Sequence, residues 1–139
     1  MSEHDIIQTT DKAIDPSEVI SLVEARDCGA ITSFIGKVRG RSGGKTVHSL
    51  EHDASAEAAK DKFSDILKEA RQKWDVREAA VCYRVGQVPA GEVTLVIALA
   101  TMHRSEGFAA CQFVIDRFKQ IVSAKEIRED GEYWISAKT

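Results

Sequence analysis

The chain has 139 residues, of which 43% are hydrophobic and 29% charged, and its net charge is −3. This length suits a single domain over residues 1–139 whose core needs no covalent staples. The small negative charge excludes a general attraction to nucleic acid, no apolar run approaches a membrane span, and the acidic N-terminus does not resemble a signal peptide, so we expect a cytoplasmic protein.

The first predicted element is a helix that begins near Asp15. It follows residues 1–14, which we expect to be flexible or loosely attached to the domain. Asp15 can cap the helix, Pro16 suits its first position, and Glu18 stands where a capping box places an acidic residue. The segment therefore predicts a helix start rather than a continuing loop.

A pair of strands joined by a basic loop is predicted next. The β-branched and aromatic residues of 28–38 indicate a strand, and 46–53 is expected to return beside it. Between them lies the glycine-rich, basic segment RGRSGGK, residues 39–45. In the returning strand, Val47 and Leu50 depart from strict alternation.

The second half of the chain contains two long helices and the most apolar strand. Apolar residues recur at helical spacing over 55–74 and again over 105–122. Strands are predicted over 77–85 and 92–100, with the turn 86–91 between them. The strand 92–100 is apolar on both faces, so we expect it to be central and covered on both sides. The stretch EDGEYWIS predicts a turn and a last short strand.

The order of predicted elements is α-β-β-α-β-β-α-β. Hairpins mixed with helices favour an α+β domain with a largely antiparallel sheet and three main helices, rather than a doubly wound fold of repeated βαβ units. No repeat or linker divides the chain, which agrees with a single domain.

Cysteine and histidine spacing argues against a metal site. Cys28, Cys82 and Cys111 lie in apolar segments without a CxxC spacing, so we expect small buried hydrophobes. His48 and His52 are four residues apart on a predicted strand, which separates them by about 13 Å. We therefore expect no metal and no cofactor.

The basic loop resembles the end of a phosphate-binding P-loop, but it lacks the first glycine, whose place Arg39 takes, and it leads into a strand. Taken alone, Lys37, Arg39, Arg41 and Lys45 are most simply a solvated hairpin tip. An arginine fork on the face that Lys37 and Arg39 share could also bind a phosphate.

His103 and Arg104 stand between the buried strand and the last helix. A helix N-terminus offers unpaired N–H groups and a positive dipole end, so this junction suits a phosphate or carboxylate. The alternative is a Ser105 cap flanked by two exposed polar residues, and the residues alone leave both open.

Further cations follow in and after the last helix. Lys119 lies on a polar stripe with Gln112 and Asp116, where periodicity favours a solvated lysine. Lys125 and Glu126 come just past the helix. If the segments 37–39, 103–104 and 119–125 converge, they form a site for an anionic small molecule, but spacing alone leaves their convergence open.

Several stretches, in this order and spacing, resemble the large, catalytic subunit of molybdopterin synthase, the MoaE-like family. They cover roughly residues 20–136 and read GAITSFIGKVRG, LEHDASAEAA, YRVGQVPAGE, MHRSEGFAACQFVIDRFK and EDGEYW. The resemblance implies an α/β-hammerhead fold and a transferase. This enzyme would move sulfur from the thiocarboxylated Gly-Gly terminus of a small ubiquitin-like carrier subunit to cyclic pyranopterin monophosphate, forming the dithiolene of molybdopterin. The implied assembly is a homodimer within a heterotetramer, without nucleic acid or membrane.

The resemblance also implies the residues of the site. It makes Lys119 and Lys125 catalytic. It assigns substrate binding to Lys37, Val38, Arg39, His103, Arg104, Lys119, Lys125 and Glu126. The His-Arg pair would serve the partner chain's pocket, and a partly desolvated Lys119 would have a lowered pKa and act as a nucleophile or proton carrier.

The chain departs from the family pattern after Lys119. The stretch KQIVSAKEIRED is shorter than its family counterpart and lacks the usual Pro and Trp, and Lys125 is matched to the second catalytic lysine. These departures motivate an alternative, a divergent non-catalytic homologue that binds the sulfur carrier or a phosphorylated metabolite. A plain anion-binding module without such a partner is the third possibility.

Overall fold

A computed structural model describes residues 5–135, which form nine strands and three helices. The strands are β1 (Ile6–Thr10), β2 (Ala30–Lys37), β3 (Arg41–Ser42), β4 (Lys45–His52), β5 (Val76–Arg84), β6 (Gln87–Pro89), β7 (Val93–Thr101), β8 (Ala124–Arg128) and β9 (Gly131–Ile135). The helices are α1 (Pro16–Ile20), α2 (Ala56–Lys73) and α3 (Arg104–Ile121). Within residues 5–135, no helix combines the length and apolarity that crossing a membrane requires.

The helix-covered sheet has four strands in the order β1-β5-β7-β2. Its pairs are antiparallel except β1 with β5, which run parallel from Ile6 opposite Ala80 to Thr10 opposite Arg84. The expectation of a loosely attached segment over 1–14 is therefore wrong for Ile6–Thr10, while residues 1–4 lie outside the described part. Asp5 also forms an ion pair with Arg71 of α2, so the strand is held at its start as well.

Strand β7 is covered on both faces, as its apolar sequence predicts. Leu95, Ile97 and Leu99 pack into the core beneath α2 and α3. Val96 and Ala98 point to the other face, where they pack with the region of α1. The period of two along the strand thus divides its residues between two hydrophobic clusters.

A second sheet, which the sequence did not predict, lies beyond the first. Its path is β3-β4-β8-β9, and β6 pairs with β4. The segment 39–45 contains a tight β3–β4 hairpin in which Gly43 and Gly44 have φ of +56° and +78°. Such angles at both central residues are those of a hairpin turn that glycine favours. The hairpin interpretation of this basic loop therefore holds for Arg41 and Lys45, whereas Lys37 and Arg39 precede the hairpin.

A bulge in β4 explains its irregular apolar pattern. The β4–β8 register shifts between Val47 and Ser49. Because a bulge inserts one extra residue, it moves the side chains on either side of it into the same face. Val47 and Leu50 are consequently both buried in the small core of the second sheet, which also contains Val38, Val88 and Ala124.

The N-terminal end of helix α3 lies close to strand β2. A Cβ atom on Gly107 would stand 2.3 Å from Thr32 Oγ1 and 3.0 Å from Thr101 Oγ1, so only glycine permits this approach. The helix begins at Arg104 with His103 as its N-cap, and the His103 side chain makes no capping hydrogen bond. The alternative of a Ser105 cap is therefore wrong, because Ser105 already lies in the first turn.

Candidate functional site

A cavity of about 390 Å³ lies where β2 leaves the first sheet, next to the C-terminal end of α3 and the start of β8. Its walls are formed by Phe34, Ile35, Gly36, Lys37, Val38, Arg39, Leu50, His52, Thr94, Leu95, Phe118, Lys119, Val122, Ala124, Glu126 and Ile135. Most of these side chains are apolar, and a few polar groups converge among them. This composition is typical of a binding site for a small ligand or a narrow chain.

Lys37, Val38 and Arg39 reach the cavity because the chain crosses here from one sheet to the other. A bulge at Gly36 and Lys37 ends the pairing of β2 with β7. Val38 then exchanges backbone hydrogen bonds with the 89–92 turn, donating to Glu92 O at 3.0 Å and accepting from Gly91 N at 2.7 Å. The crossing buries Val38 and leaves Lys37 and Arg39 exposed at the rim, where both cations are available to an anion.

Glu126 is a buried carboxylate in the cavity wall, with 3% of its surface exposed. One of its oxygens lies 2.8 Å from Arg128 Nη2, and the other lies 3.8 Å from Arg39 Nη2. Arg128 also donates to Ser42 Oγ at 3.2 Å and stands 4.3 Å from the centre of the Tyr133 ring. Glu126 is therefore not an unpaired acid in the cavity. Its carboxylate connects Arg39 at the rim to Arg128 of the second sheet.

Lys119 and His52 come from different elements, and the charge of Lys119 acts on the His52 imidazole. Lys119 lies in the last turn of α3 and is exposed, so the single chain does not provide the partial desolvation expected for it. His52 ends β4, and its pKa falls from 6.5 to about 4, first because it is buried and second because of the positive charge of Lys119. The cavity therefore combines an ammonium group with an uncharged imidazole at neutral pH.

His103 and Arg104 lie at the other end of the molecule. Ala30 pairs with Thr101, whereas Lys37 pairs with Val93, so the β2–β7 ladder separates the two groups by about 23 Å at 3.3 Å per residue. Helix α3 gives a similar span, about 22 Å from Arg104 to Lys119 at 1.5 Å per residue. Within one chain, the structure brings together 37–39, Lys119 and Glu126, but not His103 and Arg104.

Comparison with known proteins identifies the family. The family model described as MoaE protein matches residues 9–121. A molybdopterin synthase catalytic subunit of Bacillus subtilis is 40% identical over 130 residues, covering 92% of this chain and 83% of that protein. The human molybdopterin synthase catalytic subunit is 37% identical over 132 residues, covering 94% of this chain and 70% of that protein. The chain belongs to the MoaE family. The predicted family and the predicted class, a transferase of molybdenum cofactor biosynthesis, are therefore confirmed.

Solved structures agree with this assignment. Molybdopterin synthase from Staphylococcus aureus has a TM-score of 0.82 and 26% identity, with 98% of this chain and 99% of that chain covered. A MoaE protein from Burkholderia ambifaria has a TM-score of 0.77 and 27% identity, with 97% and 91% covered. The predicted α+β domain with three helices and largely antiparallel pairing is confirmed.

Lys125, matched by the sequence to the family's second catalytic lysine, does not reach the cavity. On β8 the side chains of Ala124 and Glu126 line the cavity, so the residue between them points to the opposite face. There Lys125 Nζ lies 3.1 Å from Glu132 Oε1 and 5.6 Å from the centre of the Trp134 ring. The carboxylate of Glu132 raises the pKa of Lys125, which keeps the amine protonated.

His52 is the cavity residue that sequence reasoning missed. The four-residue spacing of His48 and His52 argues against a shared metal and predicts no other role for either residue. The useful signal is its position two residues after the buried Leu50, because residues i and i+2 of a strand share a face. That signal would have placed the imidazole on the inner face of β4 within this MoaE-family site.

Proposed function

We propose that this chain transfers sulfur from the thiocarboxylated C-terminus of a small ubiquitin-like carrier subunit to cyclic pyranopterin monophosphate, forming the dithiolene of molybdopterin. The observation that carries the proposal is one cavity with an apolar wall, the Lys119 ammonium and the rim cations Lys37 and Arg39. An apolar cavity suits an inserted chain end, and the cations suit the negative charges of both reactants.

Each cation has a distinct task in this proposal. Arg39 and Lys37, exposed at the rim, bind the phosphate and oxygens of the pterin. Lys119 lines the same cavity from the end of α3, where its ammonium neutralises the thiocarboxylate and holds a proton at Nζ. Glu126 keeps Arg39 in place through the ion pair at 3.8 Å and leaves most of the guanidinium free for the substrate.

His103 and Arg104 take part only if a second copy of the chain brings them to the cavity. They are exposed at the N-terminus of α3, where N–H groups favour an anion. Exposed apolar side chains lie on the same α3 and on the edge strand β2: Phe108 is 64% exposed, Ile31 51% and Ile35 44%. Exposed apolar groups of this kind suit a subunit interface. The proposed assembly is therefore a homodimer with one carrier subunit per cavity, a heterotetramer.

A structural neighbour has been solved as a complex of two subunits. A protein-protein complex of subunits 1 and 2 of molybdopterin-converting factor from Helicobacter pylori has a TM-score of 0.68 and 18% identity. At that identity the likeness concerns the fold alone. The carrier subunit of the present chain is proposed from the cavity and the family.

The deciding experiment is reconstitution. The purified chain is mixed with the thiocarboxylated carrier and cyclic pyranopterin monophosphate, and the dithiolene product is measured. The matched control uses the same carrier with an ordinary carboxylate terminus, which has no sulfur to give. Product in the first mixture and none in the control is expected, whereas no product from a carrier that is active with a related enzyme would refute the proposal.

A non-catalytic homologue that still binds the carrier is the second candidate. It is favoured by one observation, the alanine at 124 that faces the cavity while Lys125 faces away. This candidate predicts stable carrier binding without dithiolene formation. The same reconstitution, combined with a binding measurement, distinguishes the two.

A further inference from the structure

The imidazole of His52 is placed in the cavity wall without a hydrogen-bond partner. Its Nδ1 atom is buried, and no residue in the described range 5–135 pairs with it. The ring centre lies 5.1 Å from that of Tyr83 and 6.2 Å from that of Phe118, both in tilted contact. Its cross-strand neighbour on β8 is Ala124, which has no polar side-chain atom to offer. Aromatic packing therefore holds the ring in place, while its Nδ1 atom makes no hydrogen bond within the described residues.

An unused buried nitrogen needs an explanation, because buried polar groups in folded proteins almost always have a partner. Leaving such a group unpaired costs more than an ordinary hydrogen bond contributes. Burial and the charge of Lys119 hold the pKa of His52 at about 4, so at neutral pH the ring is uncharged and has one donor and one acceptor nitrogen. Such a ring suits a neutral polar ligand group.

The cavity offers few other partners to the main chain of an inserted peptide. Phe34, Leu50, Phe118 and Val122 supply apolar wall, and the cations Lys37 and Arg39 are suited to charged groups. The hydroxyl of Thr94, also buried and unpaired within the described residues, is the other neutral polar group in the wall. Each peptide unit that enters brings an N–H and a C=O that need partners once water is removed. A tail ending in glycines has no side chains to keep its peptide groups away from the ring.

We propose that His52 binds the main chain of the carrier's C-terminal tail, with its unpaired nitrogen hydrogen-bonded to a peptide group of that tail. This inference rests on the proposed function, because it requires a tail in the cavity. It assigns His52 a binding role beside Lys119, without a covalent step. Its contribution lies in the affinity and position of the tail, and Lys119 remains the group next to the sulfur.

The test compares three variants of the full chain. His52→Phe keeps the ring and removes both nitrogens, and His52→Asn keeps a polar atom near the position of Nδ1. Tyr83→Phe is the matched control, because the Tyr83 hydroxyl is also buried and unpaired and its ring contacts His52, but it does not line the cavity. The probe is the carrier subunit with an ordinary carboxylate terminus, with Kd measured by calorimetry.

We expect His52→Phe to weaken carrier binding about tenfold, the loss that one hydrogen bond accounts for. His52→Asn should lie within about threefold of the wild type, since its side-chain amide can still donate and accept. Tyr83→Phe should bind as the wild type does. His52→Phe and Tyr83→Phe should keep or raise Tm, because neither removes a partnered hydrogen bond, whereas His52→Asn loses the ring contacts with Tyr83 and Phe118 and should lower Tm. If the phenyl ring does not fit, His52→Leu provides the same comparison.

A truncated carrier without its last two residues separates this inference from the proposed function. With that carrier, the wild type and His52→Phe should bind equally, because no tail reaches the ring. Equal binding of the full carrier by the wild type and His52→Phe overturns the role of His52. If the wild type itself does not distinguish the full carrier from the truncated one, the proposed function fails instead. A loss in His52→Phe that persists with the truncated carrier also overturns the inference.

Discussion

Lys125 and Glu126 are neighbours on β8 and face opposite sides of the strand. Glu126 is buried in the cavity wall between Arg39 and Arg128. Lys125 contacts Glu132 and Trp134 on the outer face. The residue that faces the cavity on the other side of Lys125 is Ala124, so β8 supplies no lysine to the site.

The two lysines should therefore differ in their effects on turnover. Under the proposed function, Lys119→Ala removes the ammonium next to the carrier's C-terminus and should reduce dithiolene formation at least about a hundredfold, the contribution of a positioned proton carrier. Lys125→Ala should keep the rate within about threefold, because it removes only a partly exposed surface pair. Single-turnover rates with thiocarboxylated carrier check both. Equal losses in the two variants would show that Lys125 turns into the site on binding.

Glu126 should contribute to stability as well as to the geometry of the site. Replacing it with alanine leaves Arg128, whose side chain is 17% exposed, without its carboxylate. Breaking a buried pair in this way costs about 3 kcal/mol. The free energy of unfolding in urea measures the loss. Glu132→Ala is the matched control, because Glu132 is 61% exposed in its pair with Lys125, and the loss of that pair should lower the free energy of unfolding much less.

Helices α2 and α3 and strand β7 could be predicted because each buries a regular apolar pattern. Strands β1 and β8 could not. β1 is short, and its sequence IIQTT has no strict alternation, so only its parallel pairing with β5 reveals it. β8 has the sequence AKEIR and buries a glutamate, which a hydrophobic pattern excludes. That burial depends on Arg128 at the end of the same strand and on Arg39 from the distant crossing between the sheets, a compensation that becomes visible only in three dimensions.

The residues of the site could be predicted from the sequence, but their positions relative to one another could be predicted only in part. The family resemblance predicts that Lys37, Arg39 and Lys119 belong to the site. The structure brings these three residues together because the chain crosses between the two sheets after β2, next to the end of α3. The same resemblance predicts that His103 and Arg104 belong to the site. The structure places this pair at the opposite ends of β2 and α3 from the cavity. Sequence spacing does not distinguish the two cases, since the distance between segments depends on strand direction and register.

His52 should make stability depend on pH. Its pKa is about 4 in the folded chain and 6.5 ordinarily, so between these values the unfolded chain binds a proton that the folded chain does not. Stability should therefore fall as pH decreases through this window and be unaffected by His52 above it. By pH 5 the loss from this residue is about 2 kcal/mol. Urea unfolding at pH 7.5 and pH 5 measures it.

The His52→Phe variant isolates this contribution from that of the carboxylates, which titrate in both proteins. The drop in unfolding free energy between pH 7.5 and pH 5 should be smaller in the variant by the same 2 kcal/mol or so. The charge of Lys119 also lowers the pKa of His52, so Lys119→Ala should reduce the drop slightly. An identical drop in the wild type and His52→Phe would mean that the imidazole is solvated.

Arg104 and Lys119 should complement each other between chains. Arg104→Ala and Lys119→Ala homodimers each lack a group in both sites and should be inactive. A mixed dimer contains one Arg104→Ala chain and one Lys119→Ala chain. If each cavity uses its own Lys119 and the arginine of the partner chain, one cavity has both substitutions and the other has neither. If the chains exchange at random, half of the dimers are mixed, and activity should recover to about a quarter of the wild-type value per chain. Co-expression with two different affinity tags yields the mixed dimer for assay.

The outcome distinguishes a shared site from a site within one chain. If Arg104 acted on its own chain's cavity, every subunit of the mixed dimer would still carry one defect, and no activity would return. The β2–β7 ladder spans about 23 Å between Lys37 and the His103–Arg104 pair, too far for a side chain to bridge. Complementation is thus the expected result, and it would establish that each cavity is completed by the helix N-terminus of the partner chain.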